Sequence, residues 1–204
     1  MYMKIIISYV QDHQQLLLLI KTNFLITTFF VDETKYPEGI FIKNIELFFS
    51  SRDKNGIPVK LEIRPVSSGY PSIGVGAITY PFASKTKTLT DSEIVAAGQT
   101  PTPGSSDGTI TSNGAKFEFD APVHLLPGEH AIVLSSNSSD YSIYAAEIGS
   151  KQYNTMVDIS EQPYSGKMYK TNNNSVWTEL PSTDLMFVIN RCKFKKSGVL
   201  VLTD

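Results

Sequence analysis

The sequence predicts an all-β protein, an antiparallel β-sandwich with Greek-key or jelly-roll-like wiring. Apolar runs rich in Ile, Val and Phe are short and alternate along the chain with groups of turn-forming residues. An apolar period of about 3.6 residues, the mark of an amphipathic helix, is almost absent. The 204 residues include 10 Tyr, 11 Phe, 13 Gly and 11 Pro, and only 19% are charged, which suits short strands joined by turns. We therefore expect about nine to eleven strands in one sandwich.

The first strands are predicted within residues 26–65. Turn formers separate the apolar runs there at 32–39 and at 52–56, and in the first turn Pro37 and Gly39 supply the fixed and the permissive dihedral angles. The run at 40–49 alternates only partly, and the face with a single charge is the better core candidate. That face consists of Phe41, Lys43, Ile45, Leu47 and Phe49.

Clear alternation marks two later strands. In the first, apolar and charged residues take turns, namely Val59, Leu61 and Ile63 with Lys60, Glu62 and Arg64. This pattern predicts a half-buried strand whose charged face is wet. The strongest alternation in the chain is at 115–120, with apolar residues on one face only. Residues 67–108 are irregular, and further strands are expected at 130–135, 141–148, 167–170, 176–179 and 185–194.

The first 25 residues are unusually apolar and are interpreted as an N-terminal arm. A polar pentad at 11–15 interrupts the arm and the run that follows it, Leu16 to Ile20, is short, so neither part reaches the roughly 20 apolar residues that a membrane span needs. A signal peptide is not expected either, because no small-x-small cleavage pattern follows. The arm is predicted to form an apolar strand or short helix covering the domain, or to pack against another subunit. The predicted organisation is an arm at 1–25, a sandwich domain at 26–195 and a C-terminal tail at 196–204.

Charge and cysteine content disfavour several classes of function. Lys and Arg total 18 against 20 Asp and Glu, a formal net charge of −2, so no global basic field exists to attract nucleic acid. Cys192 is the single cysteine and can form neither an intramolecular disulfide framework nor a multi-cysteine metal site. We expect no cofactor, no nucleic-acid partner and no membrane insertion.

Several runs of the chain resemble a known family. These runs are TFFVDETKYPEGIFIKNIELFF, GIPVKLEIRP, GYPS, FEFDAPVHLLPGEHAIVLSSNSSDYSIYAAEIG, QPYSGKMYKTNNNSVWTE and DLMFVINRCKF. In this order they resemble a jelly-roll domain of tailed-bacteriophage virion proteins, found in large structural proteins of the tail, baseplate or fibre region and similar to the modules of carbohydrate-binding proteins. The likeness covers residues 27–194 and consists of apolar and turn positions. It implies a virion location and other virion proteins as partners, in a homo- or hetero-oligomer within the particle.

No catalytic or metal-binding constellation stands out in the sequence. His13, His124 and His130 are the only histidines and are predicted at surface or edge positions, since two histidines without a carboxylate partner make a poor metal site. No Gly-x-Ser-x-Gly elbow marks a nucleophile. Asp53 begins an Asp-x-Asn-Gly sequence that predicts a hairpin turn, because the remaining ligands of a calcium loop are absent.

Two sets of residues are candidates for contacts with other molecules. The first would stack on and hydrogen-bond a glycan or receptor and consists of Trp177, Asn173, Tyr169 and Tyr144; a packing role for Trp177 is the competing interpretation. The second would make apolar assembly contacts and consists of Leu16, Leu17, Leu18, Leu19, Ile20, Leu200 and Leu202.

The leading hypothesis from the sequence is a non-enzymatic structural component of a bacteriophage virion, in the tail, baseplate or fibre attachment apparatus, that binds neighbouring virion proteins. The alternative is a receptor- or glycan-binding module of the adsorption apparatus, with host-surface glycan as its partner. A third hypothesis is a glycoside-active enzyme.

Overall fold

The computed structural model describes residues 2–5, 17–21, 24–67, 70–72, 79–104, 109–147, 166–171 and 178–194. These residues form 15 strands, which are β1 (Tyr2–Ile5), β2 (Leu17–Lys21), β3 (Phe24–Val31), β4 (Ile40–Leu47), β5 (Phe49–Ser51), β6 (Val59–Ser67), β7 (Tyr70–Pro71), β8 (Ser84–Lys87), β9 (Ala115–Leu125), β10 (Gly128–Ser136), β11 (Ser142–Glu147), β12 (Met168–Thr171), β13 (Thr178–Glu179), β14 (Thr183–Leu185) and β15 (Phe187–Cys192). Within these ranges the only helical element is one 3₁₀ turn, Asp91–Glu93. The predicted all-β fold is confirmed.

The strands form three sheets in which every strand pair is antiparallel. The back sheet has the order β13-β12-β3-β10-β6-β7, and β8 also pairs with β6. The front sheet has the order β1-β15-β4-β9, and the end sheet has the order β14-β11-β2 with β5 also on β11. The front and end sheets together face the back sheet, giving the curled sandwich that the sequence predicted.

Two neighbouring segments of the chain, β4–β5 and β14–β15, pass between the front sheet and the end sheet, and their bends lie beside each other. One bend is at Phe48, between β4 and β5, and the other is at Met186, between β14 and β15. The backbone of Tyr144 on β11 joins both bends, because its N–H donates to the Phe48 carbonyl at 2.9 Å and its carbonyl accepts from the Met186 N–H at 3.2 Å. Strand β11 therefore fastens the two bends to each other.

One hydrophobic core lies between the sheets. All three sheets contribute to it, the back sheet with Phe29, Ile63 and Ile132, the front sheet with Ile45, Phe117 and Phe187, and the end sheet with Ile143 and Leu185. Burying one such side chain contributes about 1.5–3 kcal/mol. The core supplies the rigid support on which the surface side chains described below are held.

The structure confirms the face assignment of β9 and corrects that of β4. On β9 the apolar residues at 115–119 are buried and the charged residues between them are exposed, as predicted. On β4 the predicted core face was Phe41, Lys43, Ile45, Leu47 and Phe49, but Phe41 is exposed and Ile42 is buried. The reason is a register shift between Ile42 and Asn44 where β4 pairs with β9. A bulge of this kind moves the following side chains to the opposite face.

The charged face of β6 is more buried than its sequence alternation predicted. Glu62 and Arg64 are buried, and the Arg64 Nη2 donates to Glu62 Oε2 at 2.5 Å. Lys60 Nζ lies 2.8 Å from the other oxygen of Glu62, and Arg64 Nη1 donates to the Ser72 carbonyl at 2.9 Å. The prediction that this face is solvent-exposed is therefore wrong for Glu62 and Arg64. Both charged side chains can be buried because they pair with each other.

Two segments of the predicted arm form strands of the sandwich. Strand β1 pairs with β15 from Tyr2 opposite Cys192 to Ile5 opposite Ile189. Strand β2 pairs with β11 from Leu17 opposite Ala146 to Lys21 opposite Ser142. In the described part of the arm, both segments therefore pair with strands of the same chain.

Candidate functional site

Three rings on the outer surface of the front sheet form what we call the aromatic platform: Phe41, His124 and Phe194. Phe41 on β4 lies opposite His124 on β9 in the strand register, and their rings stack with centroids 4.3 Å apart and an interplanar angle of 16°. Phe194, two residues beyond β15, meets Phe41 edge-on with centroids 5.0 Å apart. Offset and edge-on contacts are the favoured geometries of aromatic pairs, so the three rings support each other.

The platform is open to solvent. Phe41 is 37% exposed and Phe194 is 60% exposed, and His124 is also exposed. His124 Nε2 lies 3.0 Å from the Glu38 carbonyl oxygen; since a carbonyl only accepts, Nε2 carries the proton and the ring orientation is fixed. Contiguous exposed aromatic surface on a rigid sheet is typical of a binding site.

A ladder of polar side chains continues from the platform along the same face. The Asn190 amide on β15 donates to Asn44 Oδ1 and to Glu46 Oε1 on β4, each at 2.8 Å, which uses both of its N–H groups. Lys116 Nζ on β9 lies 3.7 Å from Glu46 Oε1. Because the amides and the carboxylate hold one another in place, this part of the face is pre-organised.

Beyond the ladder, the front sheet ends in an apolar cluster that contains Tyr144. Phe48, Val95 and Val188 are buried there, with Tyr144 and Met186 packed partly buried against them. Burial raises the pKa of the Tyr144 hydroxyl. The outer face of the front sheet thus changes from aromatic to polar to apolar along its length.

An open groove of about 650 Å³ runs beside β8 and β9, where the edges of the back and front sheets approach one another. Its lining is mostly charged and consists of Lys43, Lys85, Thr86, Lys87, Lys116, Glu118, Phe119 and Asp120. Strand β9 departs from β4 at this point, since Glu118 pairs with Asn44 and Val123 with Ile42 while the residues between them are unmatched. We call this feature the lysine groove.

Ion pairs cross the lysine groove. Lys43 Nζ lies 2.8 Å from Glu118 Oε1, and Lys85 Nζ lies 2.6 Å from Asp120 Oδ1. Hydrogen bonds from these lysines lower the pKa of both carboxyl groups. Lys87 pairs with Glu93 and donates to the Lys116 carbonyl at 3.0 Å, which ties β8 of the back sheet to β9 of the front sheet.

The structure does not bring the predicted glycan-contact tyrosines together. Tyr169 lies on β12 of the back sheet and Tyr144 on β11 of the end sheet. Tyr169 is only 6% exposed, and its hydroxyl is buried with no hydrogen-bond partner in the part of the chain that the structure describes. Its ring therefore presents no face to a ligand. Trp177 and Asn173 lie outside the described residues.

All four of the predicted assembly residues that the structure describes lie on β2. The backbones of Leu17, Leu18, Leu19 and Ile20 pair with β11. Leu16, Leu200 and Leu202 lie outside the described residues.

The environments of the described histidines match the predictions only in part. His124 is exposed as predicted, whereas His130 is buried, its Nε2 2.8 Å from the Leu126 carbonyl oxygen and its Nδ1 2.9 Å from the Tyr80 hydroxyl; burial lowers its pKa. His13 lies outside the described residues. Among the described residues, no group of three or more His, Cys, Asp or Glu side chains could hold a metal ion.

Asp53 closes a turn, as its sequence context predicted. Its carboxylate accepts hydrogen bonds from the Asn55 N–H at 2.7 Å, the Ile57 N–H at 2.9 Å and the Ser138 hydroxyl at 2.7 Å. These donors, the Ile57 N–H foremost, lower its pKa. The carboxylate is thereby committed to joining two loops at one end of the sandwich.

Sequence reasoning missed both the platform and the groove. Phe41 was assigned to the core face, and Phe194 was simply the last residue of a predicted strand. The lysines of the groove come from β4, β8 and β9, so no local motif contains them. One local signal existed, because Lys85 and Lys87 alternate on one strand and alternation places them on the same face.

Comparisons with known proteins give little guidance. No family model matches the chain, and no curated protein matches it. Among solved structures, the chain is similar to the crystal structure of the cysteine protease and lectin-like domains of Cwp84, a surface layer associated protein of Clostridium difficile, at 12% sequence identity and a TM-score of 0.45. The match covers 85% of this chain and 33% of that chain, so this chain spans about a third of its length; at this TM-score the likeness carries no argument. Within the described ranges, none of the helical structure is long and apolar enough to cross a membrane.

Proposed function

We propose that the chain is a non-enzymatic structural module of a bacteriophage virion, in the tail, baseplate or fibre attachment apparatus, and that it binds a neighbouring virion protein through the aromatic platform. The observation that carries the proposal is the exposure of two rings that contact each other, Phe41 on β4 and Phe194 just beyond β15. The virion context comes from the family resemblance of residues 27–194.

Protein interfaces concentrate their binding energy in a few aromatic side chains. Fewer than about 30% of interface residues cost more than about 1 kcal/mol when truncated to alanine, and a handful cost about 2 kcal/mol or more. Phe41 is already held by its stack on His124 at 4.3 Å, so little side-chain freedom remains to be lost when a partner covers it. The polar ladder beside it is held by hydrogen bonds from Asn190 to Asn44 and Glu46. Since Asn44 and Glu46 are buried, the half-buried Asn190 is the ladder residue that a partner could contact.

The experiment is incorporation of a Phe41→Ala/Phe194→Ala variant into particles, with the chain quantified by mass spectrometry of purified virions. We expect incorporation to fall at least about tenfold, since two anchor residues are removed. The matched control is Phe30→Ala/Tyr70→Ala, which removes two rings that are as exposed but belong to the back sheet and should incorporate normally. Equal incorporation of both variants, with both folded by thermal melting, would refute the role of the platform.

The alternative is a receptor- or glycan-binding module, and the same face supports it by a second observation. Exposed rings stack on the apolar faces of sugars and nearby amides hydrogen-bond their hydroxyls. Asn190, which is half-buried, lies on the face that carries the platform. Its two N–H groups are used by Asn44 and Glu46, so its Oδ1 is the atom that would accept from a sugar hydroxyl. A glycan array separates the two functions. Specific glycan binding that the Phe41→Ala/Phe194→Ala variant loses would favour the alternative, and an array without hits favours assembly.

A further inference from the structure

The lysine groove has an asymmetry between its cations and its anions. In both ion pairs that cross it, the lysine is the less exposed partner. The Lys43 side chain is 20% exposed against 56% for Glu118, and the Lys85 side chain is 35% exposed against 77% for Asp120. The lysine side chains are thus the more buried partners, and the carboxylate side chains lie at the rim.

The rim carboxylates are replaceable. Ion pairs with this much exposure contribute little to stability, because water screens them. A ligand carboxylate could therefore take the place of Glu118 or Asp120 with little loss to the fold, while the lysines stay in position. Lys87 and Lys116 also line the groove, and each lies beside a carboxylate outside the lining, Glu93 and Glu46 respectively.

The lining selects among acidic ligands. Among the described residues, Phe119 is the only aromatic side chain in the lining; it is 1% exposed, so it offers no ring face for stacking a sugar. A nucleic-acid backbone needs a continuous cationic track, whereas acidic side chains interrupt the lysines here. An extended acidic polypeptide fits better, because its carboxylates project at every second residue and need no stacking partner.

We propose that the lysine groove binds an acidic segment of a neighbouring protein, whose carboxylates replace Glu118 and Asp120 on Lys43 and Lys85. The inference rests on the proposed assembly function and names the chemistry of a second contact. The volume of about 650 Å³ is within the range of sites that enclose small ligands, so the segment is short.

The test is fluorescence anisotropy of a labelled peptide with Glu at alternate positions, titrated with the full chain at low salt. The Glu118→Gln/Asp120→Asn variant should bind the peptide more tightly, by about fivefold, because the competing carboxylates are gone. The Lys43→Gln/Lys85→Gln variant should bind it at least about fivefold more weakly, and binding by the natural chain should weaken with salt. The rim variant keeps the proposal testable even if the lysine variant fails to fold.

The matched control is Glu33→Gln/Glu179→Gln, which removes the same net charge from exposed positions outside the lining. If this control tightens binding as much as the rim variant does, the effect belongs to net charge and the proposal is wrong. The proposal is also wrong if the natural chain does not bind the peptide. It is wrong as well if an oligogalacturonate, which carries carboxylates on sugars, binds the natural chain more tightly than the peptide does. The Phe41→Ala/Phe194→Ala variant should bind the peptide normally, so failure of the groove and failure of the platform are distinguishable.

Discussion

Replacing Asp184 by Asn should stabilise the protein, and more so as the pH rises. Asp184 lies on β14 opposite Ala146 of β11. It is 9% exposed, and its Oδ2 is buried with no hydrogen-bond partner among the residues that the structure describes. Burial raises its pKa from 3.8 to about 6, because a charged carboxylate is costly to hold away from water.

The magnitude follows from linkage between protonation and folding. A shift of about two pKa units corresponds to about 3 kcal/mol, which we reduce to about 2 kcal/mol because Asp184 keeps some contact with water. The folded-state pKa is the higher one, so the stabilising effect of the bound proton is complete below pH 3.8 and is lost as the pH rises through about 6. Above that pH the natural chain carries the full penalty and Asp184→Asn does not.

The assay is urea unfolding of the natural chain and of Asp184→Asn across this pH range. The free-energy difference between them should grow by about 2 kcal/mol from pH about 4 to about 7.5. Any constant cost of burying the amide cancels in this comparison. Asp140→Asn, at an exposed position, is the control and should show no such growth. A difference for Asp184→Asn that stays flat with pH would refute the account of its burial.

Three further predictions concern stability. The melting temperature of His130→Gln should fall less on acidification than that of the natural chain. The pKa of His130 is lowered by burial, so the stability that its neutral form contributes is present above about pH 6.5 and is lost as the pH falls below it. Parallel pH profiles of the two melting temperatures would contradict this. Gly39→Ala should cost about 1–3 kcal/mol in chemical denaturation, since Gly39 has φ +77° and an added Cβ would lie 2.1 Å from the Leu125 carbonyl oxygen. Gly56→Ala is the control and should cost less, because Gly56 has a similar φ of +82° but no atom of the described residues beyond its chain neighbours would lie within 4 Å of the added Cβ. Deleting residues 1–23 removes β1 and β2 and should lower the melting temperature, and an unchanged melting temperature would show that the two strands contribute nothing.

The sequence contained enough local information for the fold class and for several strands. Turn formers at 32–39 and 52–56 bracketed β4, and strict alternation identified the core face of β9, because these signals depend only on near neighbours in the chain. The core face of β4 could not be read in the same way. Its faces exchange at the register shift between Ile42 and Asn44, and a bulge arises from pairing with another strand.

The candidate site depends almost entirely on distant pairings. The platform exists because Phe41 is in register with His124, 83 positions later in the sequence, and because β15 places Phe194 beside them. The predicted glycan contacts relied on nearness in sequence, which the structure does not convert into nearness in space for Tyr144 and Tyr169. Burial of His130 likewise depends on Tyr80 and the Leu126 carbonyl, neither of which marks a histidine as internal.

The order of strands in the front sheet has a consequence for synthesis of the protein. Strand β4 lies between β9 and β15, and β1 pairs only with β15 in the described residues. Until the ribosome has translated β15, which begins at Phe187, one edge of β4 and the whole of β1 have no strand to pair with. Such long-range pairing slows folding and leaves strand edges open to other nascent chains. Chaperone binding during translation should therefore centre on β4 and β1 and end when β15 emerges.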